Sequence, residues 1–264
     1  MPFPESPRVI YENNPLTLVI CQLRFPAILR IASDQPSDFQ DRIRALYPIY
    51  RQKTIPSLPP QVLEVIANLP FPPPPEGPSH EFVSEDNSRQ ITLTRDFIAI
   101  TDSNYQGWEH FLQAIEMAKQ ALEDYYNPSF YTRLGLRYRD VIDPLRIEPA
   151  PSSFASLLTP AIAGILASEQ LAPHIKQTSS QALIELPDMP DAFLQLRAGL
   201  VDVDTDPHQA YEIDADFFIS GRSSSDDVLP ILRRFNRAAG NFFRWAITSA
   251  LHEALHPRPM DNPS

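Results

Sequence analysis

The chain has little cysteine, little glycine and no long apolar run, and each shortage removes a class of function. A single cysteine, Cys21, among 264 residues excludes an intramolecular disulfide and any thiolate-only metal cage from one chain. It lies in the apolar run Leu18–Leu23, where it reads as a small buried hydrophobe rather than a nucleophile. There are 7 glycines and no P-loop, G-x-S-x-G or dinucleotide-binding pattern, which argues against nucleotide cradles and nucleophile elbows. No run reaches the ~18 apolar residues of a membrane span. The opening MPFPESPRVIYENNP lacks the basic-then-apolar layout of a secretory signal, so the expected compartment is the cytoplasm. Basic residues are also in deficit. Lys+Arg 22 against Asp+Glu 33 gives −11, and an acidic surface repels phosphate backbones, which disfavours nucleic acid as a partner.

What is present is a core-forming composition, 43% hydrophobic, laid out as one order of elements used twice. The first half, residues 1–142, reads as a strand over Leu16–Phe25 and a helix over Asp38–Tyr47. Three strands between Glu81 and Thr101 and a long helix over Tyr105–Tyr126 complete it. The second half, residues 143–256, is expected to belong to the same body and is introduced by a strand over Tyr131–Val141. It continues with a helix over Ser152–Leu166, three strands between Ile175 and Ser220 and a long helix over Val228–His252. Prolines mark the joints: a surface connection over Pro56–Pro78, a loop over Asp143–Ser153, and a tail over residues 257–264 expected to be disordered.

Strand patterning assigns faces. Leu134, Leu136 and Tyr138 alternate with Arg133, Arg137 and Arg139. Leu194, Leu196, Ala198 and Leu200 alternate with Gln195 and Arg197. Tyr211, Ile213, Ala215 and Phe217 alternate with Glu212, Asp214 and Asp216. A period of two with one apolar face means an antiparallel sheet covered on one side. The cover comes from two helical stripes, Trp108, Phe111, Leu112, Ile115 and Leu122 in one and Ile231, Phe235, Ala238, Phe242 and Trp245 in the other.

If neighbouring strands pair, Arg24, Arg133, Arg137, Arg139 and Arg197 share the uncovered face with Glu212, Asp214 and Asp216. Arginine forks bind carboxylate or phosphate at two points, so the face reads as a recognition surface for a protein, a peptide or a small anion. Cross-strand ion pairs that merely neutralise a solvated face explain the same residues. The Arg233, Arg237 and Arg244 stripe is read as a solvated helix face, with partner docking as its alternative.

Two metal patterns fail on inspection. Asp202-Val203-Asp204-Thr205-Asp206-Pro207-His208 has proline where a calcium loop needs glycine, and Ile213 where it needs glutamate, so it reads as a hairpin turn. His252-Glu253-Ala254-Leu255-His256 matches H-E-x-x-H, but Pro257 follows at once and ends the helix that zinc ligation needs. No cofactor and no metal are expected.

The blocks Asn14-Pro15-Leu16, Val19–Pro26 and Leu134–Ile142 are distinctive, and Phe39–Pro48 and Phe243 with Ala246-Ile247-Thr248 accompany them. In these the chain resembles a sporadically distributed bacterial family of about 260 residues whose function is uncharacterised. Where that family continues the second block with asparagine after the Arg-Tyr pair, this chain has Arg139-Asp140. The resemblance carries no active site, and the family's patchy occurrence implies settings such as toxin–antitoxin or anti-phage defence.

The expected fold is therefore α+β, a duplicated β-α-β-β-β-α unit forming a curved antiparallel sheet covered on one side by two long helices. The expected function is a non-enzymatic protein- or peptide-binding module, with a homodimer also open. The alternatives are a small-molecule binder with a helix-grip cavity between sheet and helices, and a metal-dependent hydrolase or nuclease built on Glu212, Asp214 and Asp216.

Overall fold

The computed structural model describes residues 1–55, 77–148, 151, 153–203 and 208–259. Most of the proline-rich connection, from Pro56 onward, and turn residues 204–207 lie outside the described residues. The protein is α+β, with a large antiparallel sheet and several helices. A short strand, β1 (Val9–Tyr11), opens the chain, and β11 (Pro257–Pro259) is its partner in a two-stranded sheet. The large sheet is built from β2 (Leu16–Arg24), β3 (Ile49–Ile55), β4 (Gly77–Val83), β5 (Arg89–Leu93) and β6 (Phe97–Asp102). It also takes β7 (Tyr131–Ile142), β8 (Ser179–Glu185), β9 (Ala192–Asp202) and β10 (Gln209–Ser223). The ladder order is β3-β4-β5-β6-β2-β7-β10-β9-β8. The chain divides into two compact units: one of Met1–Val19, Gly135–Ser220 and Asp226–Ser264, the other of Ile20–Leu134 and Gly221–Ser225.

In the second of these units, β4, β5 and β6 form an antiparallel meander and β3 pairs with β4 from Ile49↔Val83 to Ile55↔Gly77. Helices α1 (Leu29–Ser33) and α2 (Ser37–Ile43) precede β3, and the 19-residue α3 (Trp108–Tyr126) follows β6. Helix α3 buries Trp108, Phe111, Leu112, Ile115 and Leu122, the stripe its spacing predicts. It stops where Asn127 turns left-handed at φ 42° and returns its N–H to the Leu122 and Glu123 carbonyls. Phe39 of α2 packs on Phe82 at 5.3 Å and on Tyr126 at 6.4 Å. Cys21 is buried in this core, and burial pushes its thiol pKa up, as suits a small hydrophobe. His80 is buried too. Its Nε2 donates to the Ile31 carbonyl at 2.9 Å and its Nδ1 lies 2.9 Å from the Tyr50 hydroxyl, which makes it a structural strut.

In the first unit, β9 pairs with β10 in register from Ala192↔Ile219 to Asp202↔Gln209. Their apolar sides are covered by α5 (Val228–Ala246), whose Phe235 and Phe242 meet Phe217 at 6.5 and 6.2 Å. The N-terminal segment lies on the same helix. Phe3 packs on Phe242 and Trp245 at 5.1 and 5.3 Å, and Ser6 bonds the Asn241 side chain.

Three expectations fail here for local reasons. The helix expected over Ser152–Leu166 is broken into a 3-10 turn (Phe154–Ser156), α4 (Pro160–Ala163) and a second 3-10 turn (Gly164–Ala167). Pro160 can only open a helix, and Gly164 leaves the preceding turn at φ 52°. The last helix ends at Ala246 rather than His252, because Ile247 extends to bridge Leu158. Thr248 then starts α6 (Ser249–Ala254), its hydroxyl accepting from the Leu251 N–H. The tail expected to be disordered contributes Pro257–Pro259 to β11, held in register against β1; residues 260–264 lie outside the described residues.

Candidate functional site

The charged face of the first unit follows from strand parity. Residues one apart point to opposite sides, so Arg137 and Arg139 of β7, Arg197 of β9 and Glu212, Asp214 and Asp216 of β10 leave the apolar side to their neighbours. Register places Asp214 directly across from Arg197 and Asp216 across from Gln195. Arg137 grips Asp214 with two bonds, Nε donating to Oδ1 at 2.6 Å and Nη2 donating to Oδ2 at 2.5 Å. Arg139 Nε donates to Glu212 Oε2, and Arg197 Nη1 stands 4.0 Å from Asp214 Oδ2. The Asp214 side chain is only 6% exposed, whereas those of Arg137, Arg139 and Arg197 are 38%, 43% and 44% exposed. The hydrogen bond from Arg137 to Asp214 further raises the Arg137 pKa, so that guanidinium stays charged at any working pH. The arrangement is a carboxylate floor holding arginine forks whose outer edges face solvent.

The remaining two arginine candidates sit in the other unit. Arg24 pairs with Asp96 at 2.6 Å and lies over the Phe97 ring, and Arg133 donates to the Gln22 side chain at 3.2 Å. Every arginine of the candidate set therefore has an internal partner. The carboxylates offered for a hydrolytic metal do not converge on one point: Glu212 turns to Arg139, and Asp214 turns to Arg137. Among the described residues there is no group of three or more His, Cys, Asp or Glu side chains placed to hold a metal ion. The H-E-x-x-H match dissolves in the same way. His252 is on α6, but His256 lies beyond its end at φ 52° and is exposed.

A second cluster in the first unit escapes the sequence reading. Asp140 follows Leu134, Leu136 and Tyr138 on the apolar parity of β7 and is buried with them. No described residue hydrogen-bonds its carboxyl, and burial lifts its pKa to about 7. Nearby on β1, Tyr11 has its pKa pushed up to about 12 by burial, eased by Arg244 and reinforced by Asp140. The Tyr11 hydroxyl lies 2.8 Å from His252 Nδ1, and burial together with Arg244 holds the His252 pKa below its ordinary value. Tyr11 also packs edge-on against Phe243 and His252 at 5.7 and 5.5 Å. Tyr11 and His252 share a hydrogen bond, and a carboxyl that keeps its proton to near pH 7 places no charge beside them. The signal for this cluster is present in the sequence as an acid on the wrong parity of an alternating strand.

No family model matches the chain, and no curated protein matches it.

Proposed function

We propose that the chain is a non-enzymatic module that holds a protein or peptide partner on the Arg137, Arg139 and Arg197 face. The observation that supports this is the inversion of exposure across the ion pairs: Asp214 at 6% lies beneath arginines at 38% to 44%. A solvated salt-bridge network has no need to bury its acids; a recognition surface gains by fixing its forks in advance, since less side-chain entropy is lost on binding. Arg137 spends Nε and Nη2 inward, and Arg139 spends Nε, leaving their outer nitrogens for carboxylates or backbone carbonyls of a partner segment. The resemblance to a patchily distributed bacterial family supports a setting such as a toxin–antitoxin, immunity or anti-phage complex. Within the same reading, the two halves descend from one β-α-β-β-β-α unit, with the long helices α3 and α5 as its equivalent members.

Purification of the tagged chain from its native cell, with the co-purifying protein identified and then titrated against purified chain, tests the reading. Arg137→Ala strands a buried acid, so the informative variant is Arg139→Ala with Arg197→Ala, its fold checked by circular dichroism. A loss of affinity of roughly tenfold or more is expected, and unchanged affinity removes this face from the argument. A small-molecule role has one observation in its favour, the buried Asp140 carboxyl without a hydrogen-bond partner among the described residues. A ligand donor aimed at that group would satisfy it. The hydrolase reading is weakened by the carboxylates being taken up by arginines.

A further inference from the structure

Strand β8 is the outermost strand of the first unit, and no described strand pairs with its far edge. All of its residues but Ile184 are exposed, Leu183 to 49%. The direction of its backbone groups follows from its pairing with β9. Leu200 N donates to the Thr178 carbonyl at 3.0 Å, with Ser179 opposite Gly199 in register. Alternation then turns the N–H and C=O of Ser180, Ala182 and Ile184 toward β9 and those of Ser179, Gln181, Leu183 and Glu185 outward. Gly199 permits this close approach, because a Cβ there would stand 2.2 Å from the Thr178 oxygen and 2.8 Å from Ser179 Cα.

An edge of unpaired backbone groups is a template for another strand unless it is guarded by proline, lysine, a bulge or inward charge. The sequence Ser179-Ser180-Gln181-Ala182-Leu183-Ile184-Glu185 has no proline and no lysine, and its sole charge is at the end. We propose that β8 pairs antiparallel with β8 of a second copy of this chain, about a two-fold axis through Ala182. Self-complementarity selects this occupant. Turned about Ala182, the strand sets Ser179 against Glu185, Ser180 against Ile184 and Gln181 against Leu183, so the acid meets serine and no like charges face each other. The outward residues supply the hydrogen-bonded pairs. The axis falls on the non-hydrogen-bonded Ala182 pair, where Cα atoms approach to ~4.5 Å and a methyl group fits. Strand β3 shows the opposite design: the same operation about Gln52 sets Arg51 against Lys53.

The test is sedimentation equilibrium of the full chain with three variants. Wild type is expected at twice 29.9 kDa, and added salt should tighten the association because each copy carries −11. Gln181→Pro removes an outward N–H while leaving the bonds to β9, and is expected to be monomeric with an unchanged circular dichroism spectrum. Ala182→Cys is expected to form a covalent dimer under mild oxidation, since the axial pair lies within disulfide reach, whereas Ser180→Cys does not. Buried Cys21 stays out of that reaction. A wild type that is monomeric at about 100 μM overturns the proposal, as does a dimer in which Ala182→Cys fails to cross-link. The cross-link decides even where Gln181→Pro fails to fold.

Discussion

Replacing Asp140 with asparagine tests whether the buried carboxyl is held protonated by its surroundings. Burial raises its pKa from 3.8 to about 7, so the folded protein prefers the proton that the unfolded chain releases. The sign follows: stability is fully present below pH 3.8, declines as pH rises from there, and levels off above about 7. With ~1.4 kcal/mol for each tenfold of proton affinity, the loss is roughly 2 kcal/mol at pH 5 and about 4 kcal/mol at pH 8.5. The asparagine variant has nothing to ionise at this position, so wild type should weaken relative to Asp140→Asn by roughly 2–3 kcal/mol between those pH values. The groups facing this corner do not mimic the effect. Tyr11, pushed up to about 12, does not titrate in the window. His252 acts with the opposite sign: with its pKa lowered, it costs stability as pH falls through its unfolded value of 6.5, and it does so in both proteins. Urea unfolding at both pH values gives the difference directly. Wild-type and variant stabilities that run parallel from pH 5 to 8.5 would refute the assignment of a protonated, buried Asp140.

Arg137→Ala leaves the buried Asp214 without its forked partner, with only Arg197 at 4.0 Å, and should cost roughly 3 kcal/mol at neutral pH in urea unfolding. Combining Arg137→Leu with Asp214→Leu should recover most of that loss, because it removes the stranded charge. Gly199→Ala forces a methyl against the Thr178 carbonyl and should cost about 1–3 kcal/mol, with faster amide exchange concentrated in β8. Thr248→Ala removes the cap of α6 and the hydroxyl bond to the Ser156 carbonyl, and should cost about 1–2 kcal/mol in thermal unfolding.

Elements whose amphipathic period matches their geometry are legible in the sequence. Strands β7, β9 and β10 alternate cleanly because one side is apolar and buried and the other carries charge, and α3 shows its stripe for the same reason. Strand β3 escapes such a reading because Tyr50, Arg51, Gln52, Lys53 and Thr54 are polar on both sides, so only pairing with β4 fixes them as a strand. Pro160 is visible in the sequence as a residue that cannot continue a helix. The end of α5 is not visible in that way, because it is decided by the bridge from Leu158 to Ile247, a long-range contact that no local pattern reports.

The candidate site shows the same division between what parity tells and what contact decides. Parity puts Arg137, Arg139, Arg197, Glu212, Asp214 and Asp216 on one face of the sheet, and the bonds from Arg137 to Asp214 and from Arg139 to Glu212 run across it. It cannot say which member is buried, because that depends on the reach of the guanidinium over its neighbour. Arg137 folds down onto Asp214 and takes the acid out of solvent. That turns a row of charges into a layered surface with positive groups outermost, on a chain whose net charge is −11. Asp140 is the complementary case. Its parity is as readable as that of Asp214, but it points to the apolar side with no arginine bonded to it, so the strand gains a titrating group in its core instead of a surface fork. One residue's step along an alternating strand thus separates a surface ion pair from a pH-sensitive carboxyl in the core.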